Sequence, residues 1–322
     1  KFWYKKKSLQ STLLLPLSYI WQICNIFKHL TKKKYSFDIP IICVGNVIAG
    51  GAGKTPLIIE ICKYYKKKKV NVHVIYKTYK SKISKKVLMV KNSNINSVIE
   101  DEAKLISQFA TTWVCNKRVD GIIEAKKSDA KFILLDDGFQ DFSIKKKVNI
   151  LVSNKIQGNG NSKIIPAGPL RETIKSATNR SDCIFFYGDK HECNKIFKNY
   201  RKKKYFGKLF IKHTMLKKFY KKKIIAYAGI AHPDNFFELL SSNGLDIQKK
   251  LYFPDHYQYK RDDLKKIISL SKDSSTKILT TAKDYVKIPK DLKKYISAID
   301  IKIKFESNGF FNYINKEINL DV

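Results

Sequence analysis

The chain has 322 residues, of which 43% are hydrophobic, enough for one large domain or two packed domains. Its 64 basic and 28 acidic residues give a formal net charge of +36, but five arginines among evenly spread lysines indicate a compositional bias. The lysine runs lack the interleaved aromatic residues of an RNA-binding module, so we expect no nucleic-acid partner and an attraction to anionic membrane surfaces instead.

The first predicted element is an uncharged stretch from Ser8 to Phe27, with lysines on both sides. Its length is about that of one bilayer crossing, but Pro16 and several polar residues lower its hydrophobicity. Lysines on both flanks leave the orientation undecided. Within residues 1–34 we therefore expect an N-terminal membrane helix, either an anchor or a helix lying in the interface, with a buried soluble helix as the alternative.

The motif GNVIAGGAGKTP, residues 45–56, lies between an apolar β-branched run and a helical pattern. Strand, glycine-rich turn and helix form the context of a phosphate-binding loop, although Ile48 stands where the usual motif has its first glycine. Lys54 would reach the β- and γ-phosphates, and the Thr55 hydroxyl would bind magnesium. The predicted nucleotide-binding residues are Ile48, Ala49, Gly50, Gly51, Ala52, Gly53, Lys54 and Thr55.

Strand-like and helix-like patterns alternate along the rest of the chain. Up to about residue 215 this alternation predicts a parallel, helix-covered sheet. Three further strand–helix units begin near Lys221. The predicted fold class is α/β, with a P-loop NTPase-like core at residues 35–215 and a smaller C-terminal α/β domain at residues 216–322.

Two aspartates, Asp136 and Asp137, end a strongly apolar strand. Phosphate-loop proteins keep a magnesium-side carboxylate at this position, so we predict a metal site there. GTPases bind the guanine base with an Asn-Lys-x-Asp motif. The nearest segment here, SNKIQG, has Gln157 in place of the aspartate, which argues against a GTPase switch. By residue type alone, Asp101, Glu102 and His256 are all candidates for a base that accepts a hydroxyl proton.

The chain resembles the tetraacyldisaccharide 4'-kinases, the lipid A 4'-kinases, in six motifs that occur in the same order: VGNVIAGGAGKTP, EDEAKL, LLDDGFQ, IPAGPLRE, FPDHY and TTAKDYVKI. The resemblance implies ATP-dependent phosphorylation of the 4'-hydroxyl of a membrane-embedded acylated glucosamine disaccharide 1-phosphate, giving lipid IVA. It implies ATP and Mg²⁺ as cofactors, and no obligate protein partner is evident.

By this resemblance, the catalytic residues are Lys54, Asp101 and His256, with Asp101 as the base and His256 assisting it. The magnesium site contains Thr55, Asp136, Asp137 and Glu172. The substrate-binding residues are Glu102, Arg118, Arg171 and Tyr79.

Catalysis on such an acceptor is expected at the cytoplasmic face of the inner membrane. The six cysteines form no CxxC pair and no disulfide or zinc pattern. This also indicates that the catalytic part of the protein faces the reducing cytoplasm.

The sequence departs from the family pattern in several places. In YKTYK, residues 76–80, Lys77 replaces an arginine and two glycines are missing, while Asp141 replaces a histidine and Ile48 a small hydroxyl residue. Two other function classes stay open. One is a non-catalytic or regulatory P-loop NTPase whose N-terminal helix docks on a partner, and the other is a soluble small-molecule kinase.

Overall fold

The structure, a computed structural model, describes residues 2–5, 7–31, 33–78, 86–91, 99–271 and 275–320. Its strands are β1 Ile41–Gly45, β2 Val72–Lys77, β3 Val87–Met89, β4 Thr111–Cys115, β5 Phe132–Asp136, β6 Val148–Asn154, β7 Cys183–Tyr187, β8 Lys203–Ile211, β9 Lys223–Ala228, β10 Asp246–Tyr252, β11 Thr276–Thr281, β12 Ile296–Ile299 and β13 Ile301–Phe305. Its α-helices are α1 Leu9–Leu13, α2 Leu15–Thr31, α3 Lys54–Lys67, α4 Asp101–Ile106, α5 Arg118–Lys127, α6 Ile174–Arg180, α7 Lys190–Ile196, α8 His213–Leu216, α9 Pro233–Ser242, α10 Arg261–Ser269, α11 Ala282–Tyr285 and α12 Gly309–Glu317.

Within these residues the larger sheet has nine strands, in the order β13-β8-β7-β6-β1-β5-β2-β4-β3. Its strands pair in parallel except at the two edges, where β3 and β13 pair antiparallel with their neighbours. The apolar runs of β1, β5 and β7 are buried along their whole length, as in strands covered by helices on both faces. The predicted α/β class with a mostly parallel central sheet is confirmed.

The strand order brings two predicted motifs to one edge of this sheet. β1 lies between β5 and β6, and Val44 of β1 is in register with Asp136 of β5. The Val44 carbonyl also accepts a hydrogen bond from the Asp137 N–H at 3.0 Å. Because ligands of parallel sheets bind at the carboxyl ends of the strands, the glycine-rich turn and the two aspartates face one site.

The smaller sheet consists, in the described part of the chain, of four parallel strands in the order β10-β9-β11-β12. The chain then returns to the larger sheet, because β13 pairs with β8, and Phe310 and Ile314 of α12 pack in the same core as Leu57 of α3. Residues 216–322 therefore contribute to both sheets. The domain boundary near residue 215 stays a prediction.

The N-terminal helices α1 and α2 contact the protein through two buried serines and expose many apolar side chains. The Ser11 hydroxyl donates to the Ala167 carbonyl at 2.7 Å, and the Ser18 hydroxyl donates to the Ile164 carbonyl at 2.8 Å. The exposed apolar side chains, here called the N-terminal apolar face, are Leu9, Leu13, Leu17, Tyr19, Ile20, Trp21, Ile23, Ile26 and Phe27.

Over the described ranges, none of the helices combines the length and apolar character needed to cross a bilayer. The expected N-terminal membrane helix is therefore not supported as a spanning segment. The physical reason is that α2 has 17 residues and carries polar side chains on the face that contacts the protein.

Candidate active site

The turn between β1 and α3 has the backbone of a phosphate-binding loop. Gly50 and Gly53 have φ angles of +119° and +90°, which side chains with a Cβ rarely adopt. A Cβ on Gly53 would also lie 2.5 Å from a ring carbon of Tyr187. The loop ends at the N-terminus of α3, where backbone N–H groups without helical partners favour a bound anion.

A cavity of about 720 Å³ opens between the two sheets in front of this loop. Its polar lining on the side of the larger sheet includes Gly50, Gly51, Ala52, Gly53, Lys54, Thr55, Glu102, Asp136, Asp137 and Arg171. The smaller-sheet side contributes Asp255, His256 and Lys283. The cavity thus brings together most of the residues predicted from the sequence, although they are distributed along the chain.

A chain of charges connects the loop to the end of β5. The Lys54 ammonium donates to Asn46 Oδ1 at 3.0 Å and lies 3.4 Å from Asp137 Oδ1. Arg171 Nη1 donates to both Asp137 oxygens, at 2.9 and 2.8 Å. Burial alone would raise the pKa of Asp137, but Lys54 and Arg171 lower the pKa to about 2. Asp137 is therefore an ionised carboxylate held between two cations.

Asp136 lies in a different electrostatic environment. Burial, followed by the neighbouring Glu102 carboxylate, raises the pKa of Asp136 to about 7. Asp136, Asp137 and Thr55 all line the cavity with hard oxygen donors.

Mg²⁺ in kinases is held by one or two carboxylates together with substrate phosphates, so this donor set fits the ion. The described residues contain no group of three or more His, Cys, Asp or Glu arranged to hold a metal alone.

Arg118 and Glu172, which were predicted to bind substrate and metal respectively, are paired with other groups of the protein. Arg118 is 3% exposed, and its guanidinium donates to the Asp136 and Asp137 carbonyls, both at 2.9 Å. Glu172 pairs with Arg180 and is absent from the cavity wall. Arg118 and Glu172 therefore do not line the cavity, and both charged groups are already paired within the protein. Their roles toward substrate and metal stay predictions.

The first part of the loop is likewise not at the cavity surface. Ile48 is 3% exposed within the apolar core, and its carbonyl accepts from the Asn46 side-chain amide at 2.7 Å. The Ala49 N–H donates to the Pro169 carbonyl at 2.8 Å. These contacts do not support a nucleotide contact by the side chains of Ile48 and Ala49. The two residues instead hold the backbone of the loop in place. Tyr79 lies outside the described residues.

The candidate base residues meet across the cavity from the loop. His256 Nδ1 lies 3.9 Å from Asp101 Oδ2, and Lys283 Nζ lies 3.0 Å from Glu102 Oε1. Burial would raise the pKa of Asp101, but His256 and then Lys287 outweigh it and hold this pKa below its usual value. Asp101 is 2% exposed and does not line the cavity, whereas His256 does.

Sequence reasoning did not single out Asn46, Gln140 or Lys283. Asn46 orients Lys54, and Gln140 accepts from Arg171 at 3.2 Å and donates to Glu172 at 3.1 Å. Asn46 and Gln140 lie inside the motifs VGNVIAGGAGKTP and LLDDGFQ, so the sequence contains a signal for them. Lys283 lies in TTAKDYVKI, but one lysine among so many gives no individual signal.

A glycine-rich loop after a central parallel strand, aspartates ending the adjacent strand and a facing carboxylate–imidazole pair define a phosphate-loop phosphotransferase. The chain belongs to the LpxK family, tetraacyldisaccharide-1-P 4'-kinase, whose profile matches residues 10–319. The resemblance seen in the sequence is thereby confirmed.

Relatives named tetraacyldisaccharide 4'-kinase occur in several bacteria. The protein of Bartonella henselae is 30% identical over 324 aligned residues, covering 98% of this chain and 95% of the relative. That of Jannaschia sp. is 30% identical over 315 residues, covering 96% and 95%. Among solved structures, the "apo" form of LpxK from Aquifex aeolicus in complex with ATP is similar in fold, with a TM-score of 0.76 and 23% identity over 96% of this chain and 99% of that one.

Proposed function

We propose that this protein transfers the γ-phosphoryl group of ATP to the 4'-hydroxyl of a tetraacylated glucosamine disaccharide 1-phosphate, giving lipid IVA and ADP. The observation that supports this most directly is the cavity in which the phosphate loop faces the Asp101–His256 pair. Membership of the family favours this function over a non-catalytic NTPase.

The phosphate loop and its neighbours bind and orient the nucleotide. Lys54, held by Asn46 and Asp137, contacts the β- and γ-phosphates. Thr55, Asp136 and Asp137 would hold Mg²⁺, which when bound neutralises charge on the phosphate oxygens.

The Asp101–His256 pair removes the proton from the attacking hydroxyl. Because His256 lines the cavity and Asp101 is buried beside it, the proton passes to the imidazole and Asp101 stabilises the resulting charge. The oxygen of the hydroxyl forms a bond to the γ-phosphorus as the bond from that phosphorus to the bridging oxygen breaks. This division of labour modifies the expectation that Asp101 itself contacts the hydroxyl.

Two features support a location at the membrane, namely the acyl chains of the proposed acceptor and the N-terminal apolar face. An acceptor with four acyl chains stays in the bilayer, so the cavity must work at its surface. An amphipathic helix with its apolar side outward can lie in the interface, and nearby lysines add attraction to anionic lipids. Trp21 donates its indole N–H to the Arg171 carbonyl at 3.3 Å, which connects this face to the cavity wall. We place the enzyme on the cytoplasmic face of the inner membrane.

The deciding experiment uses the full chain in detergent micelles with γ-labelled ATP, Mg²⁺ and the disaccharide 1-phosphate. The expected product is a bisphosphorylated lipid labelled at the 4'-position, with transfer by Lys54→Ala lowered by about 10²- to 10³-fold. ATP hydrolysis without labelled lipid would favour a regulatory NTPase. Phosphorylation of a soluble sugar but not of the lipid would favour a small-molecule kinase.

A further inference from the structure

The motif TTAKDYVKI contains two charged residues that do not line the cavity, Asp284 and Lys287. The Asp284 side chain is fully buried, and Asp284 Oδ1 accepts from Lys287 Nζ at 2.9 Å. Its other oxygen, Oδ2, accepts from the Gly229 N–H at 3.0 Å and from the Thr281 hydroxyl at 2.7 Å. A carboxylate buried so deeply persists only when partners of this kind satisfy it.

Lys287 joins this carboxylate to Asp101. The Lys287 side chain is 2% exposed, and its ammonium lies 3.3 Å from Asp101 Oδ2. Asp101 begins α4 beside the larger sheet, whereas Lys287 follows α11 beside the smaller sheet. The ammonium therefore holds the candidate base from the opposite side of the junction between the two sheets. Removing it would leave two buried carboxylates without their shared cation.

Gly229 joins the same carboxylate to His256. The Gly229 N–H donates to Asp284 and its carbonyl accepts from the His256 N–H at 3.1 Å. A Cβ on Gly229 would lie 2.8 Å from the Tyr259 hydroxyl oxygen and 3.2 Å from Asp284 Oδ1, so a side chain here would crowd both groups. His256 itself has a φ of +61°, a conformation that its surroundings must enforce.

We infer that Asp284 and Lys287 are positioning residues for the Asp101–His256 pair. One buried carboxylate fixes Asp101 through the Lys287 ammonium and fixes the His256 backbone through the Gly229 peptide. Neither side chain lines the cavity. The inference rests on the proposed function, because it explains how the Asp101–His256 pair, whose members come from segments beside different sheets, keeps its relative position.

A double-mutant cycle tests the link to Asp101. Lys287→Met is expected to lower kcat by about 10- to 100-fold, part of the roughly 10²- to 10⁴-fold that a positioned acid–base group contributes. The KM for ATP should stay unchanged, because the phosphate loop is untouched. In an Asp101→Asn background the same change should cost less than about twofold. Lys127→Met is the control, since Lys127 pairs with Glu124 at 3.0 Å on α5 and does not line the cavity.

Equal losses in both backgrounds would overturn the inference, as would normal kcat in Lys287→Met. If that variant does not fold, Asp284→Asn provides the second arm, because the amide oxygen can still accept from Gly229 while the charge facing Lys287 is gone. A crystal structure of the variant gives a readout independent of activity. If the Asp101 carboxylate of the variant stays beside His256 in that structure, the inference is contradicted, whether or not the wild type is active. Absence of phosphoryl transfer by the wild type would instead refute the proposed function.

Discussion

His256 Nδ1 lies 3.9 Å from Asp101 Oδ2, although the two residues belong to segments beside different sheets. A pair assembled in this way works only while the two parts of the protein keep their relative placement. The contact therefore makes catalysis depend on both.

If the two residues act as one unit, their substitutions should not add. We expect Asp101→Asn and His256→Ala each to lower kcat by about 10²- to 10⁴-fold, because each removes the same proton acceptance. The double variant should be no slower than the worse single variant in steady-state assays with labelled ATP. Near-normal turnover of Asp101→Asn would instead move the role to Glu102, which lines the same cavity.

Lys54→Ala is expected to lower phosphoryl transfer by about 10²- to 10³-fold, the cost of removing one preorganised charge from a reacting centre. The change also frees Asn46 and Asp137, which the ammonium contacts. Lys66→Ala, at an exposed lysine on the same helix, is the control and should leave ATP turnover unchanged. If the two alanine variants lost similar activity, helix α3 rather than the phosphate contact would be responsible.

Asp137→Asn should raise the magnesium concentration needed for half-maximal activity, because a neutral amide replaces a hard anionic oxygen. Glu172→Gln should shift this concentration much less, since Glu172 is paired with Arg180 away from the cavity. Activity titrated against magnesium for both variants decides the matter. A larger shift for Glu172→Gln would restore its predicted place in the metal site.

Asp141 provides a test of stability against pH. Burial would raise its pKa, but Ser143 and Arg118 lower the pKa to about 2. Because the folded value lies below the unfolded one, the contribution is present above the unfolded pKa and lost as pH falls toward the folded one. From this shift we expect Asp141→Asn to lower the free energy of unfolding by about 2 kcal/mol at pH 7. The difference between wild type and variant should become smaller between about pH 5 and pH 2. Urea unfolding at several pH values measures this difference, and a difference independent of pH would contradict the role given to Asp141.

The sequence was sufficient wherever the determinants were local. The glycine-rich turn and Asp136 could be placed because strand, turn and residue type follow one another in the chain. Arg118 and Glu172 could not, because their surroundings depend on which groups fold against them, namely the carbonyls of Asp136 and Asp137 and the Arg180 side chain. The return of β13 to the larger sheet was hidden for the same reason, since a short apolar strand does not specify its partner.

The N-terminal segment shows a further limit. Its composition indicated apolar surface but not which side would face the protein. The hydroxyl groups of Ser11 and Ser18 donate to the Ala167 and Ile164 backbone carbonyls, so these two side chains lie on the inner side of the helices. The residues of the N-terminal apolar face are consequently exposed. A helix with this arrangement gives the same hydropathy as one whose apolar side is buried.

Membrane association should therefore depend on the N-terminal apolar face. We expect Leu17→Ser, Ile20→Ser and Ile23→Ser combined to weaken binding to anionic phospholipid vesicles by at least about tenfold, because a fully buried aliphatic side chain contributes roughly 1.5–3 kcal/mol. The residual binding should fall with added salt, since the lysine contribution that remains is screened. Co-sedimentation at low and high salt measures both effects.

Substitution is a sharper test than deletion of residues 1–34, because deletion would also remove the Ser11, Ser18 and Trp21 contacts to the segment that carries Arg171. Ile123→Ser, at an aliphatic residue that is 40% exposed on α5, is the matched control and should bind vesicles like the wild type. The triple variant should still phosphorylate a detergent-dispersed acceptor, since the cavity is unchanged. Salt-resistant sedimentation of the triple variant would show that another surface holds the protein on the membrane.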